Sequence, residues 1–483
     1  MLNRFPFLIF MLIVISTLII FLQSGEVNRD GVMYLTQAQF LVEGNWDKAM
    51  SLYNWPFFAL LIFLIHSISG IPIQYSAHLI DLVCFIVAAF FFLRNIEFIS
   101  RGKVPAIYGL VILLTAIPLM DDYLGMVLRD HGQWAGFMFG VYAYLRWIEK
   151  QNWSWAVLWQ LGFLFGALFR PECLLFNILL PLTHQFFFNP KRRLKTFFQS
   201  ISLGLFGLVA MSCLLLFSFI NFQDVDLARL NEIITRPQRF LQNLTQPLLI
   251  ATDNFYLRVL LADFASSFKY FFLSYVVIYK WIAGLGLLHF GLFFIAFKKK
   301  LIKQPFVTAL SIFLILSALI TTINLYTTFV IANRYWVMNW WIVYIFAAFG
   351  LHYLWHFLKK SKHPHKKWFQ YSLVAILLIY FLNILIDKPE KHFEQVAGNW
   401  VKQQQLDLNN IYFNEQRTAF YAGLISFDRV SLEEAINIIQ YRYLMLRYNR
   451  FDEIKPIQNY EPIQFFPSVD KPKLIIYQRV NHD

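Results

Sequence analysis

Two segments of the sequence place an arginine directly before an aspartate: Arg29-Asp30 near the amino terminus, and Arg129-Asp130-His131 further along. A carboxylate can act as general base on an acceptor hydroxyl. A neighbouring guanidinium can stabilise a departing phosphate, because its planar fork of donors holds two phosphate oxygens at once. Both roles are needed when a group is transferred from a phosphate-linked carrier. The alternative is that these aspartates are ordinary solvated loop residues.

Further charged residues could assist such a transfer. Arg170 and Glu172 flank a proline at the end of an apolar run. An ion pair at that depth is either functional or a structural pair in which the two charges only neutralise each other. Arg334-Tyr335 stands at the start of another apolar run, where the guanidinium could bind the phosphate of a substrate or of ordinary lipid. Asp121-Asp122 has the pattern of exposed loop residues, so we predict no chemical role for it.

No metal site is predicted. The three cysteines lie within apolar runs without disulfide or zinc spacing, and the sequence contains no P-loop or GxGxxG motif. His363-Pro364-His365 falls in a lysine-rich segment that offers no further metal ligands. A divalent cation between two carboxylates is compatible with the sequence, but no cofactor is required by it.

The composition excludes an ordinary soluble enzyme. Of the 483 residues, 58% are hydrophobic and only 15% are charged, against roughly 25% charged in a typical soluble domain. A single water-facing core stops growing near ~250–300 residues, so lipid must be the solvent for most of this chain. The net charge is +13. Because the basic residues cluster between apolar runs, we attribute the charge to membrane topology and predict no nucleic-acid partner.

Runs of about 20 apolar residues predict membrane helices. Eleven such runs predict a mostly α-helical, polytopic membrane bundle. They lie near 5–22, 78–94, 105–120, 133–148, 153–169, 173–188, 196–220, 271–297, 305–326, 335–357 and 368–386.

The positive-inside rule predicts the sidedness of these runs. The basic clusters around residues 191–195, 298–303 and 359–367 fall on one side only if the ambiguous stretch 55–70 does not cross. The amino terminus is then cytoplasmic. The opposite, external face receives the loops 23–77, 121–132, 221–270 and 327–334 and the tail 387–483. The first two of these loops contain the two Arg-Asp segments.

The tail is predicted to be a small external α/β domain, which gives two domains, 1–386 and 387–483. Glu394–Gln405 has helical periodicity, whereas Asn410–Asn414 and Lys473–Gln478 are typical of strands. Ser431 and Glu434 have the spacing of a capping box, which predicts a helix that continues to about Arg447. Loop 221–270 contains a segment typical of an amphipathic helix at the membrane surface.

The segments RDGVMYLTQAQFLVEGNW and YNWPFFALLIFLIHSISG resemble the start of the GT-C glycosyltransferases. These include bacterial relatives of protein O-mannosyltransferases and the lipid A aminoarabinose transferase. The resemblance implies that an acidic residue in the first external loop is catalytic, here matching Asp30, and that interface helices follow it. A second family acid opens the helix after the second external loop, here Asp130. Many family members carry an Asp-Glu pair in the first loop, whereas Asp30 is followed by Gly31.

The sequence and the resemblance together predict a multi-pass glycosyltransferase of the inner (plasma) membrane. Its partners would be a polyprenyl-phosphate sugar donor, an envelope glycan, lipid or protein acceptor, and membrane lipid. Asp30 and Asp130 would be catalytic. The residues predicted to bind the donor phosphate or the substrate are Arg29, Arg129, His131, Arg170, Glu172, Arg334 and Tyr335.

Two other functions stay open at this point. A transporter or lipid flippase predicts ionisable residues near mid-span, discontinuous helices and internal repeats. The protein could also be a non-catalytic envelope assembly protein that presents the external tail. This hypothesis does not explain why two Arg-Asp pairs lie at span ends on one face.

Overall fold

The computed structural model describes residues 5–23, 27–188, 194–204, 271–328, 332–386, 392–424, 430–448 and 456–480, together with Thr235, Gln238 and Ile454. The chain divides into two compact units. The helical unit comprises Met1–Thr17, Asp81–Leu124 and Arg129–Ile384. The tail unit comprises Leu18–Ile80, Gly125–Leu128 and Leu385–Asp483. The predicted domain boundary at 386/387 lies two residues from Leu385, where the last segment of the tail unit begins. The sequence did not indicate that residues 18–80 belong to the tail unit as well.

Helices dominate the described chain. Up to residue 100 they are α1 Phe5–Gln23, α2 Arg29–Val42, α3 Trp46–Leu52, α4 Phe57–Ser69 and α5 Ile73–Ser100. Then follow α6 Ala106–Leu114, α7 Asp130–Lys150, α8 Trp153–Phe169, α9 Leu174–Phe187, α10 Leu194–Ser200, α11 Phe271–Leu285, α12 Leu287–Lys298, α13 Phe306–Thr328, α14 Val337–Lys360 and α15 Lys366–Leu385. A π-helical turn covers Pro118–Tyr123, and 3₁₀ turns cover Pro171–Cys173 and Asn333–Trp336.

Several helices are long and apolar enough to cross a membrane, so the protein is a mostly helical membrane protein. Among the described residues there are five: Phe5–Leu22, Ile73–Ser100, Phe306–Thr327, Asn333–Lys360 and Lys366–Leu385. The bent pair α11–α12 would make a sixth. Three of the other predicted spans are shorter helices here, α6 with 9 residues, α8 with 17 and α9 with 14. The predicted span 133–148 lies in α7, which has 21 residues but is not among the helices that are apolar enough. Of the predicted span 196–220, residues 205–220 lie outside the described chain, as does nearly all of loop 221–270.

The sequence predicted a span over 271–297, but it did not indicate that this stretch is broken. The stretch forms two helices, α11 and α12, that meet at an angle of 97°. Gly286 lies at the break with φ +79°, a left-handed conformation that L side chains rarely adopt. Apolar composition alone does not reveal such a bend, because both halves remain uniformly apolar.

Close packing of α7 on α8 fixes the ends of both helices. A Cβ atom at Gly136 would lie 2.4 Å from the backbone nitrogen of Gly166, and one at Gly162 would lie 2.8 Å from the Cα of Gly140. The absence of side chains at these positions lets the two backbones approach as they do in small-residue membrane interfaces. Asp130 at the start of α7 and Arg170 after α8 are positioned by this contact.

In the tail unit, α2, α3 and α4 form a layer of short helices. The 13 residues of α4 extend only ~20 Å, less than the ~30 Å hydrocarbon core. Gln37 donates hydrogen bonds from its Nε2 to the carbonyls of Ala49 and Tyr53, which ties α3 to α2. Tyr34 contacts Phe58 edge to face, which ties α4 to α2.

The rest of the tail unit is a four-stranded sheet with helices on both faces. Its strands are β1 Ile411–Phe413, β2 Tyr443–Arg447, β3 Tyr460–Phe466 and β4 Leu474–Arg479, in the order β1-β2-β4-β3. β1 pairs with β2 in parallel, and the other two pairs are antiparallel. The helices are α16 Phe393–Gln403 and α17 Gln416–Ala422 on one face, and α18 Leu432–Asn437 on the other.

The capping box at Ser431 and Glu434 is confirmed, but the helix that it opens is much shorter than predicted. It ends at Asn437, and the segment Tyr443–Arg447, predicted to be helical, is strand β2. Alternate residues of β2 pack into the cores on the two faces of the sheet, Met445 on one face, Leu444 and Leu446 on the other. Pairing with β1 and β4 thus overrides the helical propensity of leucine and methionine.

Candidate functional site

Asp130, Arg170 and Glu172 form a buried ion cluster in the helical unit. Nη1 of Arg170 donates to Oδ1 of Asp130 over 2.6 Å, and Nη2 donates to Oε1 of Glu172 over 3.2 Å. All three residues are at most 8% exposed. Arg170 can reach both carboxylates because it is the extended residue between α8 and the 3₁₀ turn that begins at Pro171. A buried charge needs such partners, so the cluster fixes the positions of both acids.

Aromatic and basic side chains surround this cluster. The guanidinium carbon of Arg170 lies 4.9 Å from the ring centre of Tyr335, and that of Arg334 lies 5.5 Å from the same ring. The charges of Arg129 and Arg334 act on Asp130 as well. The predicted candidates Arg129, Asp130, Arg170, Arg334 and Tyr335 are therefore brought together, with Glu172.

The space beside the cluster is small. A cavity of about 20 Å³ is lined by Arg170, Glu172, Tyr335 and neighbouring residues, which is room for about one water molecule. Asp130 is only 2% exposed and already bound to Arg170. This arrangement suits Asp130 to hold the guanidinium in place rather than to take a proton from a substrate.

Asp81 is not among the residues predicted from the sequence. This residue lies within the apolar helix α5, and its Oδ1 is 3.1 Å from Nδ1 of His131. Both side chains are buried, and the ring of Trp134 contacts that of His131 at 4.7 Å. His131, predicted to bind substrate, is thus paired with an acid inside the bundle. The signal was present in the sequence, since an acid inside an apolar span is functional by default.

Asp121 departs from the prediction of an exposed loop residue. It lies in the π-helical turn and is only 3% exposed. Asp122 is half-buried and acts electrostatically on Tyr123. Pro118 begins this turn four residues after the end of α6, and all residues of the turn except Asp122 are buried. The loop pattern in the sequence is therefore no guide to solvent exposure here.

Asp30 lies in the tail unit, in the first turn of α2. Asn28 caps this helix by accepting a hydrogen bond of 3.1 Å from the backbone nitrogen of Gly31. Asp30 is half-buried, and a carboxylate in a first turn is favoured by the positive end of the helix dipole. A Cβ atom at Gly31 would lie 2.6 Å from the side chain of Asn28 and 3.0 Å from that of Val127. The packing thus leaves no room for a second acid after Asp30.

Arg29 belongs to a five-residue ion network with Glu394, Glu415, Arg417 and Arg447. Its Nε donates to Oε1 of Glu415 over 3.0 Å, and its Nη2 donates to the other carboxylate oxygen. Arg447 bridges the two acids, with Nη1 3.1 Å from Glu415 and Nε 3.3 Å from Glu394. Arg417 donates to Glu394 over 2.7 Å. Arg29, predicted to bind phosphate, here anchors the start of α2 to α17 and β2.

The two acids of this network have opposite pKa shifts. Burial raises the pKa of Glu394 above its ordinary value, and Arg417 and Arg447 only partly oppose this. Burial also disfavours ionisation of Glu415, but the hydrogen bond and charge of Arg29, with the charges of Arg417 and Arg447, outweigh it and lower the pKa to about 2. Glu415 is therefore the ionised centre on which the three arginines converge.

The described residues contain no group of three histidine, cysteine, aspartate or glutamate side chains placed to hold a metal ion. The candidates instead fall into two sets. Asp130, His131 and the arginines of the bundle lie in the helical unit, and Asp30 with Arg29 lies in the tail unit. Each set joins carboxylates to arginines, which is chemistry suited to anion binding and proton transfer.

The fold and these residues define the class of the protein: a helical membrane protein with a small α/β sheet domain, a buried Asp-Arg-Glu cluster at helix ends and an Arg-Glu network in the tail unit. The chain matches no protein-family model, and no curated protein is significantly similar to it.

Proposed function

We propose that the protein is an integral membrane glycosyltransferase of GT-C type that transfers a sugar from a polyprenyl-phosphate donor to an envelope acceptor on the external face. The observation that carries this proposal is the layer α2–α4. After the first apolar helix the chain forms three short helices of 14, 7 and 13 residues, with Asp30 in the first turn of the first one. The GT-C resemblance implies this same order, an acid followed by interface helices.

In the proposed reaction the acceptor hydroxyl attacks the anomeric carbon of the sugar. Asp30 takes the hydroxyl proton as the new C–O bond forms, the bond between the sugar and the phosphate breaks, and the polyprenyl phosphate leaves with the electron pair. Attack opposite the leaving group inverts the anomeric centre. Because Asp30 is half-buried on a capped helix that is tied to α3 and α4, its carboxylate is held in a fixed position, as general-base catalysis requires.

The donor phosphate would be neutralised by Arg129 and Arg334. Arg170 is less suited to this task, because its guanidinium already binds two carboxylates. We assign Arg170, Asp130 and Glu172 to positioning: they hold the ends of α7 and α8 together, and Tyr335 stacks on the guanidinium between them. The eleven-span bundle, its sidedness and its place in the inner membrane belong to the same proposal.

The test compares the envelope glycans of a deletion strain complemented with the wild type, Asp30→Asn or Asp47→Asn. Asp47 is an exposed acid in the first turn of α3, so it is a matched control in the same layer. Loss of a general base typically costs ~10²–10⁴-fold. Mass spectrometry should therefore show the glycan product lost with Asp30→Asn and retained with Asp47→Asn. Equal product from both variants would remove Asp30 from the mechanism, and an unchanged glycan profile in the deletion strain would end the proposal.

One observation favours a transporter as the second candidate. The helix pair α11–α12 is broken at Gly286, and broken helices are typical of transport sites. Close to the break, the buried His289 lies 3.1 Å from the hydroxyl of Thr115, the residue at which α6 ends. A transporter would lose substrate flux in Thr115→Val while its envelope glycans stay normal. A glycosyltransferase would show no flux in reconstituted vesicles.

A further inference from the structure

A cavity of about 440 Å³ in the helical unit lies where α5, α12, α13 and α14 have their ends. Three obligate cations line it: Arg101 and Lys103 after α5, and Lys303 before α13. His352 and His356, one helical turn apart on α14, complete the polar side. Their rings are 4.4 Å apart, and the ring of Tyr108 contacts that of His352 at 4.9 Å. This basic cavity is separate from the buried ion cluster and has no part in the proposed transfer.

The cations lie beside two tight turns of the backbone. Arg101 has φ +51° and Lys300 has φ +50°, and each reverses the chain directly after a helix. Backbone hydrogen bonds close both turns, from Gly102 to the carbonyl of Glu97 and from Leu301 to that of Ala296. α12 and α14 also touch closely, since a Cβ atom on Gly350 would overlap the carbonyl of Leu292. The turns therefore fix the backbone from which Arg101, Lys103 and Lys303 extend, and the side chains of these three residues are exposed at the mouth of the cavity.

The charge of this cavity is not balanced by its own lining. No aspartate or glutamate is among the described residues that line it. The nearby Glu149 approaches Arg101 at 3.9 Å, but this contact is long and the side chain of Arg101 is 78% exposed. Like charges around one cavity repel each other, and a bound anion would relieve this repulsion.

The lining also has an apolar part, which includes Leu301, Phe306 and Phe349. The volume lies within the ~300–1,000 Å³ of ordinary small-molecule sites, larger than a phosphate group alone needs. Arginine and lysine are the usual ligands of phosphate. We infer that the cavity binds a phosphate ester, with the phosphate on Arg101, Lys103 and Lys303 and the organic part on the apolar lining. The source of this ester is either an anionic lipid headgroup or a soluble phosphate compound.

The test uses the full-length protein in detergent and measures binding by calorimetry. The lipid probe is dihexanoyl phosphatidylglycerol, with dihexanoyl phosphatidylcholine as its zwitterionic control, and the soluble probe is glycerol 3-phosphate. A lipid site binds phosphatidylglycerol in preference to both other compounds. A soluble-ester site binds glycerol 3-phosphate at least as well as phosphatidylglycerol. Either result supports the inference.

Arg101→Gln/Lys303→Gln should weaken binding of the preferred probe at least tenfold. The control Lys359→Gln/Lys360→Gln removes the same charge from exposed residues of α14 that do not line the cavity, and it should change binding less than twofold. Arg101→Lys keeps the charge but loses the guanidinium fork, so an intermediate effect is expected. Equal weakening in the site variant and the control, binding of phosphatidylcholine as tight as that of the preferred anionic probe, or no binding of any probe would each overturn the inference.

Discussion

Glu415→Gln should loosen the tail unit and release the start of α2. The substitution preserves the shape of the side chain but leaves Arg29, Arg417 and Arg447 without the ionised carboxylate on which they converge. The difference between the ordinary pKa of 4.5 and about 2 corresponds to on the order of 3 kcal/mol. Glu394 loses a like-charged neighbour in the variant, and this offsets part of the lost stabilisation. We therefore expect the free energy of unfolding to fall by about 2–3 kcal/mol at neutral pH.

Hydrogen exchange measured by mass spectrometry reports this loss of stability segment by segment. At 1.36 kcal/mol per factor of ten, the protection of amides in β1 and β2 should fall by about 30- to 160-fold in the variant. Glu461→Gln is the control, because it removes an exposed acid from β3 of the same sheet. Its exchange should stay within about threefold of the wild type, as is usual for surface substitutions.

The effect should depend on pH with a defined sign. The folded pKa of Glu415 lies below the unfolded value, so its contribution to stability is complete above about pH 4.5 and is lost as the pH falls toward 2. The raised pKa of Glu394 acts in the opposite direction, favouring the native state at low pH. The intrinsic exchange rates are the same for variant and wild type at a given pH, so they cancel in the ratio of the two measured rates. This ratio should decrease toward one as the pH falls from 6 to 3.

Two results would refute this reasoning. Protection in Glu415→Gln within threefold of the wild type would mean that the network adds little to stability. A large loss that stays constant from pH 6 to 3 would mean that the glutamine disturbs packing and that the ionised carboxylate is not the cause. Transfer activity in the same variant should fall together with exchange protection in the first turn of α2, because Arg29 is adjacent to Asp30.

Three further predictions concern the helical unit and the topology. Arg170→Met should remove the guanidinium that two buried carboxylates share and cost ~3–5 kcal/mol, measured as a lower unfolding temperature, and a stability equal to that of the wild type would show that the cluster is dispensable. Arg334→Lys should raise the donor concentration needed for half-maximal transfer, and Arg334→Gln should raise it further, while the dependence on acceptor concentration stays unchanged. An unaltered donor titration in Arg334→Gln would contradict phosphate binding by Arg334. Reporter fusions after Lys303 should read as cytoplasmic and those after Asn45 as external, and the opposite readings would reverse the sidedness.

The sequence predicted features that depend on local pattern. Composition and long apolar runs indicated a membrane protein, and the described helices α13, α14 and α15 lie where those runs are. The capping box at Ser431 was predicted correctly, because a cap depends on side chains three residues apart. β1 and β4 were also located correctly, since short apolar strands bounded by polar residues are a local signal.

Tertiary structure alone decided which charged groups are partners. Arg29 binds Glu415 across 386 residues of sequence, and Arg170 binds Asp130 across 40. It also made Tyr443–Arg447 a strand, bent the chain at Gly286 and buried Asp121. The physical reason is common to these cases. A charge, a strand or a break acquires its final environment from groups that are distant in sequence, and the free energy of burying and pairing them exceeds the local preference of the residues themselves.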